Sequence, residues 1–288
     1  LGRRIVRLLA QRGWEIICMD VAAADFSDLG QQVRVVRTDV SEFEGVMSAF
    51  ATAKPALVFN LSYLLGDHLP RPAMKVNILG MDNCFEAARL CDVERVVFAS
   101  SIAVNGGQRF YDYKPIVETD PPTPGKQYAV HKVFNEWQAR EYRDKHGMSI
   151  TAVRPGNVAG IDKLLGSVDH VRCVVQPALG NSVRFAYRDR MRCCIYVDDA
   201  AEAFVRIGEK RKPEHDLYCT GGETLSLGRI AEMVNKLIPD ADIGFDNDTG
   251  GEFEKGAGAY LFDNARIVKE FDLQLPPYEQ RVARMIEI

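Results

Sequence analysis

The stretch Arg95-Val-Val-Phe-Ala-Ser-Ser101 decides the fold. Its run Val96-Val-Phe-Ala99 is unbroken by polar residues, the mark of a strand buried on both faces of a parallel sheet. Two serines follow, so hydroxyls stand where the strand leaves the sheet. Further along comes Tyr128-Ala-Val-His-Lys132, at the head of a helical pattern. Positions i and i+4 share one helix face, which sets the Lys132 ammonium beside the Tyr128 phenol. An unperturbed phenol titrates near 10 and is a poor base at neutral pH, but a neighbouring cation favours phenolate. Lowering that pKa by about 3 units corresponds to about 4 kcal/mol of differential stabilisation. A serine hydroxyl at the strand end, Ser101, can then hydrogen-bond a substrate oxygen.

Outward from this stretch, strand and helix patterns alternate. Upstream, Trp14 to Met19, Val33 to Arg37 and Ala56 to Leu61 are short apolar strands. Leu1 to Arg12, Glu42 to Ala53 and Arg71 to Leu90 carry helical spacing, with Gly13 and Pro55 as punctuation. Downstream, Tyr128 to His146 is a helix and Ser149 to Val153 a strand that runs into Arg154-Pro155. The alternation predicts an α/β fold: a Rossmann-type, doubly wound parallel sheet with right-handed crossovers. After Pro155 the rhythm loosens, and residues 161 to 190 read as loop. Val197 to Gly208 then reads as a helix and Asp216 to Cys219 as a short strand. Thr224-Leu-Ser226 introduces a helix through Leu237, with Ser226 as its N-cap. The expected division is a dinucleotide-binding domain over residues 1–160 and a smaller C-terminal α/β substrate lobe over 161–288. Some segments of the latter are expected to return to the core of the former.

The chain has 288 residues and 47% hydrophobic content, enough for a large core. A net charge of −4 without a basic block argues against nucleic acid as a partner. No apolar run approaches the roughly 20 residues that cross a bilayer. The seven cysteines are odd in number and form no C-x-x-C pair, which predicts reduced thiols in a cytoplasmic protein. The five histidines show no metal-ligand spacing, so no metal is expected.

Asp20 ends the strand after the first helix. In doubly wound folds a carboxylate there accepts from the adenosine ribose hydroxyls and repels a 2′-phosphate, which predicts NAD rather than NADP. Asp39 and Val40, after the next strand, fit an adenine clamp. Of the glycine-rich fingerprint that opens the first helix of such folds, Gly2 is the suitable glycine present. A sheet without its central strand would expose two unpaired edges, so roughly ten further residues are expected upstream of Leu1.

Six stretches occur in order: Asn60-Leu-Ser62, Val76-Asn-Ile-Leu-Gly80, Phe98-Ala-Ser-Ser101, Tyr128-Ala-Val-His-Lys132, Arg154-Pro-Gly-Asn-Val158 and Ile195-Tyr-Val-Asp-Asp199. Together the chain resembles, over nearly its whole length, the extended short-chain dehydrogenase/reductases, the NAD-dependent epimerase/dehydratase group. The resemblance implies that Tyr128 is the general acid/base and that Lys132 holds the nicotinamide ribose while lowering the Tyr128 pKa. Ser101 would polarise the substrate carbonyl, with Ser100 in support. Leu61 and Ser62 would lie under the cofactor, Asn77 would organise the backbone near the site, and Pro155 and Val158 would pack near the nicotinamide carboxamide. Asn157 and Arg192 would face the substrate. A homodimer is expected.

The chain also departs from the sugar-nucleotide members. Asn105-Gly106 and Ala159-Gly160 stand where Tyr-Gly is common, Cys193 replaces an Asp after Arg192, and the stretch from Glu252 to Tyr260 is acidic and without arginine. A diphosphate carries about two negative charges and calls for arginine forks; here Arg192 is joined by Arg184, Arg188 and Arg190 as candidates. A free sugar, sugar acid or hydroxy amino acid therefore competes as substrate. The expected activity is an NAD-dependent oxidoreductase or epimerase moving hydride from a secondary alcohol of a small polar molecule. A nucleotide-sugar 4-epimerase or dehydratase is the enzyme alternative, and an NAD-sensing binding protein the non-enzyme one.

Overall fold

The structure, a computed structural model, describes residues 1–66, 68–163, 165–247 and 258–287. It divides into two units, one of Leu1–Ser101, Lys126–Arg154 and Ala201–Tyr218, the other of Ile102–Gly125, Pro155–Ala200 and Cys219–Ile288. In chain order, α1 (Gly2–Gln11), β1 (Ile16–Asp20), β2 (Val33–Arg37) and α2 (Phe43–Ala53) come first. Next are β3 (Leu57–Asn60), α3 (Pro70–Met74), α4 (Gly80–Leu90) and β4 (Arg95–Ala99). They are followed by α5 (Gln127–His146), β5 (Ile150–Pro155), β6 (Asn157–Ala159), α6 (Asp169–Ala178), β7 (Val183–Tyr187) and β8 (Met191–Tyr196). The chain continues through α7 (Val197–Glu209), β9 (Leu217–Gly221), β10 (Glu223–Ser226), α8 (Leu227–Leu237), β11 (Ile243–Asn247), α9 (Ala265–Phe271) and α10 (Tyr278–Ile286).

The first unit is the expected α/β arrangement. A four-stranded sheet has the order β3-β4-β5-β9, with β3, β4 and β5 parallel in the register Phe59↔Val97 and Phe98↔Ala152. β1 and β2 form a separate parallel pair, from Ile16↔Val33 to Asp20↔Arg37. The apolar run of β4 is there because both faces are covered: Val96, Val97 and Phe98 are all buried. Phe85 of α4 meets Phe98 edge-on at 5.4 Å, and Val46, Phe50, Met81 and Ile150 complete that core. Each such side chain contributes about 1.5–3 kcal/mol through burial. Arg95, at the start of β4, is buried too, and its guanidinium donates to Ser149 Oγ, Thr151 Oγ1 and the Ile207 carbonyl.

The expected single helix over Arg71 to Leu90 is interrupted by a π turn at Lys75–Leu79. The wider turn carries Asn77, whose amide bonds the loop after β3. Gly80 opens α4 where a Cβ would lie 2.8 Å from Val40 Cγ2, so glycine lets the helix approach the chain leaving β2. Asn83 fixes the same approach by donating to the Val40 carbonyl at 2.9 Å.

In the second unit β8 pairs with β10 antiparallel and with β6 parallel, and β7 pairs with β11. Helices α6, α8 and α10 pack on one another. Residues 161 to 190 were expected as loop, yet they contain α6 and β7. The helical signal is His170, Val171, Cys173 and Val174, all buried on one side of a short helix whose last turn carries Pro177. The strand signal is the alternation of buried Val183 and Phe185 with exposed neighbours. Ser226 caps α8 as expected, accepting from Arg229 N at 3.1 Å. Of the acidic stretch before Tyr260, residues 252 to 257 lie outside the described residues. Among the described residues no helix is long and apolar enough to cross a membrane.

Candidate active site

In the first unit the chain leaves β1, β2, β3 and β4 at their C-terminal ends through Asp20, Asp39, Leu61-Ser62 and Ser100-Ser101. This is where open α/β sheets bind ligands. The two serines have divergent roles. Ser100 N donates to the Val153 carbonyl at 2.7 Å, and its buried hydroxyl donates to Glu136 Oε1 at 2.5 Å. Ser101 instead hydrogen-bonds the Tyr128 hydroxyl. Alternation along the strand end thus sends one hydroxyl inward and the next to the phenol.

Tyr128 and Lys132 sit one turn apart on α5. Burial pushes the Tyr128 phenol up, with the Ser101 hydrogen bond working the other way. Lys132, expected to lower that pKa, is itself only 3% exposed. Its Nζ donates to the Ala99 carbonyl at 2.6 Å, lies 3.3 Å from the centre of the Tyr63 ring, and is 5.8 Å from the Tyr128 ring centre. Burial drives the Lys132 pKa well down, and Glu136 opposes it. In this state the phenol is protonated near neutrality, because desolvation outweighs what surrounds it.

Beneath the pair lies a buried ionic network that sequence reasoning missed. Glu136, one further turn along α5, accepts from Arg154 Nε at 2.8 Å and Nη2 at 2.7 Å as well as from Ser100. Arg154 is 4% exposed and Glu136 16%. Its sequence signal was Glu136 continuing the Tyr128–Lys132 face at the next i+4 position. Tyr63 was also missed, although it directly follows Asn60-Leu-Ser62.

Asp20 is exposed at the end of β1, one oxygen accepting from Ala22 N at 2.9 Å. Asp39 accepts from Ser41 N at 2.9 Å and Ser41 Oγ at 2.7 Å, and these bonds hold its carboxyl below the usual range. Val40 is buried against Gly80. Ser62 N donates to Asn60 Oδ1 at 3.1 Å, and Asn77 Oδ1 accepts from Leu64 N at 2.7 Å, so the loop after β3 is tied at both ends. Gly2, at the start of α1, lies beside Leu61. An open carboxylate after β1, ordered backbone after β3 and a hydroxyl–phenol–ammonium set by β4 and α5 are groups that could hold a dinucleotide.

Pro155, Asn157, Val158 and Arg192 belong to the second unit. Asn157 Oδ1 accepts from Cys193 N at 3.0 Å, joining β6 to β8. The Val158 carbonyl accepts from Lys163 Nζ at 2.7 Å and approaches His170 Nε2 at 3.3 Å. Burial lowers the Lys163 pKa to about 8. Arg192 is bound to Asp169 through Nε, at 3.0 Å, and through Nη2, while Nη1 donates to the Met191 carbonyl. Burial works against the Asp169 carboxylate, but His170 and Arg192 outweigh it and hold its pKa well below the ordinary range. Arg190 adds a weaker contact to Asp169 at 3.7 Å.

The chain is similar to known proteins. The L-arabinose 1-dehydrogenase of Haloferax volcanii is 31% identical over 112 residues, 35% of this chain and 44% of that protein. The UDP-glucose 4-epimerase of Mycolicibacterium smegmatis is 29% identical over 264 residues, 85% of this chain and 79% of that protein. The solved structure of a Thermus thermophilus UDP-glucose 4-epimerase in complex with NAD shares the fold, with a TM-score of 0.84 at 22% identity over 99% of this chain and 94% of that one. The model of the NAD dependent epimerase/dehydratase family matches residues 1–220. The chain therefore belongs to the NAD dependent epimerase/dehydratase family, an enzyme family with NAD as its cofactor.

Proposed function

We propose that the protein moves hydride between a secondary alcohol of a small polar substrate and NAD, with Tyr128 as general acid/base. The observation that carries this reading is the Ser101–Tyr128 hydrogen bond beside the buried Lys132. NAD, when bound, supplies the hydride-accepting nicotinamide. The chain's own residues do the rest. Ser101 positions the substrate oxygen against the Tyr128 hydroxyl. Tyr128 takes the alcohol proton on oxidation and returns it on reduction. Lys132, brought close to the phenol and a ribose, supplies the charge that makes phenolate accessible. Asp20 takes the adenosine ribose and Asp39 and Val40 the adenine. Gly2, Leu61, Ser62, Asn77 and Ser100 shape the remainder of the cofactor site in the first unit.

Asn157 and Arg192 are assigned to the substrate. Asp169 already engages two nitrogens of Arg192. A single anionic or polar group suits what remains better than a diphosphate, which favours a free sugar, sugar acid or hydroxy amino acid. The second reading, a nucleotide-sugar 4-epimerase, is supported by the 29% identity to the Mycolicibacterium enzyme over 85% of this chain. A non-catalytic NAD sensor has no need of the Ser101–Tyr128 pair.

A homodimer in the cytoplasm completes the reading. Val130, Phe134 and Trp137 form an exposed apolar stripe along α5, at 48%, 49% and 56% exposure, a surface that a second copy would cover. All seven cysteines are free thiols, in keeping with a reducing compartment. The deciding experiment follows NADH absorbance over pentoses, sugar acids and L-threonine and, because epimerisation leaves no net NADH, chromatographic conversion of UDP-glucose to its 4-epimer, with Tyr128→Phe as control. Turnover of a free sugar or hydroxy acid, lost in the variant with NAD binding kept, is expected. Epimerisation of UDP-glucose alone would install the second reading, and NAD binding without turnover of any substrate the third.

A further inference from the structure

The Tyr63 ring has a defined place in the first unit. The ring centre is 3.3 Å from Lys132 Nζ. It meets the Tyr128 ring edge-on, with centres 5.3 Å apart and planes at 80°. Its hydroxyl donates to the Tyr128 carbonyl at 3.4 Å. One side chain thus touches both members of the Tyr128–Lys132 pair.

The ammonium needs such a neighbour. Lys132 is 3% exposed, so the water that would hydrate a cation is gone. An ammonium has three donors, and one hydrogen bond, to the Ala99 carbonyl of β4, accounts for the first. The charged group facing it from its own helix is Glu136, whose carboxylate already takes Arg154 and Ser100. Tyr128 faces it as a neutral phenol. A further neighbour is the face of Tyr63, whose negative quadrupole attracts a cation most strongly where water is excluded. Burial pushes the phenol of Tyr63 itself upward, so the ring stays neutral over the working pH range.

We propose that Tyr63 is a positioning residue, whose aromatic face seats the Lys132 ammonium beside Tyr128 and keeps it charged. The inference rests on the reading of Tyr128 and Lys132 as the proton-handling pair. Without the ring, desolvation acts on Lys132 with less opposition, so its pKa falls and the ammonium is lost at lower pH.

The test reads Lys132 directly. The full chain is labelled with lysine carrying carbon-13 at Cε, and that signal, assigned by its absence in Lys132→Arg, is titrated without substrate. Tyr63→Phe should titrate like the parent. Replacing Tyr63 by phenylalanines of increasing fluorine content, which keep the shape and weaken the π face, should lower the Lys132 pKa step by step. Tyr63→Leu should lower it by about one unit. A flat titration across the fluorinated series overturns the proposal, and that series keeps the test decisive if the leucine variant does not fold. The acid/base reading fails separately. A steep fluorine dependence together with full turnover in Tyr128→Phe leaves the seat standing and removes the chemistry assigned to the pair.

Discussion

Arg192 and Asp169 face one another across the second unit, Nε at 3.0 Å from Oδ1 and Nη2 on Oδ2. Both side chains are largely buried, at 12% and 15% exposure. The desolvation of two charges offsets most of what such a pair gains, but removing one partner is costly, because the other is left as an uncompensated buried charge. The guanidinium assigned to the substrate is therefore also a structural group.

Arg192→Ala should show both roles. Loss of the partner of Asp169 is expected to lower the melting temperature by roughly 5 °C or more. Loss of the substrate contact is expected to raise KM about 10-fold. Thermal melts and steady-state kinetics on the same preparation separate the two. A lower melting temperature with unchanged KM would remove Arg192 from the substrate site.

Much of this was legible in the chain, and the illegible part has a common cause. Strand β4 could be read because a doubly covered strand needs an unbroken apolar run, and Tyr128 and Lys132 because i and i+4 share a helix face. The partner of Arg192 could not. Asp189, Asp198 and Asp199 are the acids close to Arg192 in the chain, whereas the structure uses Asp169. Asp198 and Asp199 pair instead with Arg284 and Arg281. Glu136 likewise reads as an ordinary helix acid until β5 brings Arg154 against it. Helix α6 was hidden by its shortness and by Pro177, which reads as a breaker although it sits in the last turn. Local pattern reports what faces the core; it does not report which distant charge a polar group will meet.

Glu136 holds the buried network together. Glu136→Gln leaves Arg154 buried without its counter-ion and removes the acid that supports the Lys132 charge. Breaking a buried pair of this type costs about 3–5 kcal/mol. Denaturant unfolding should show a loss of that order, with a midpoint shifted at unchanged slope. A loss below about 1 kcal/mol would mean that the network is replaced by solvent and is not a fixed part of the site.

Acid should weaken the second unit through His170. Burial lowers its pKa; Asp169 opposes this, while Lys163 and Arg192 push the same way as burial. Its folded pKa thus lies below the unfolded value of about 6.5. Between those two values the unfolded chain binds a proton that the folded chain does not, so stability falls as pH drops below about 6.5 and the loss saturates below the folded pKa. His131, lowered by burial, has the same sign. Unfolding free energies measured between pH 7 and 5 should decline, and His170→Gln should flatten part of that decline. A parent protein equally stable at both pH values would contradict the assignment of a neutral buried ring.

Cofactor choice turns on the end of β1. Asp20 ends β1 with one oxygen on Ala22 N and its side chain exposed, while Arg37 ends the neighbouring strand in register with it. A carboxylate there accepts from two ribose hydroxyls but repels a 2′-phosphate; the arginine acts in the opposite sense. Like charges a few ångströms apart in a partly solvated site repel by a few kcal/mol, so the acid at the strand end should dominate. The parent enzyme is expected to prefer NAD over NADP by at least 10-fold in kcat/KM. Asp20→Ala should narrow that gap from both sides, weakening NAD and admitting NADP, and Arg37→Ala in the same background should weaken NADP again. Equal kcat/KM for both cofactors in the unmutated enzyme would show that Asp20 does not meet the ribose.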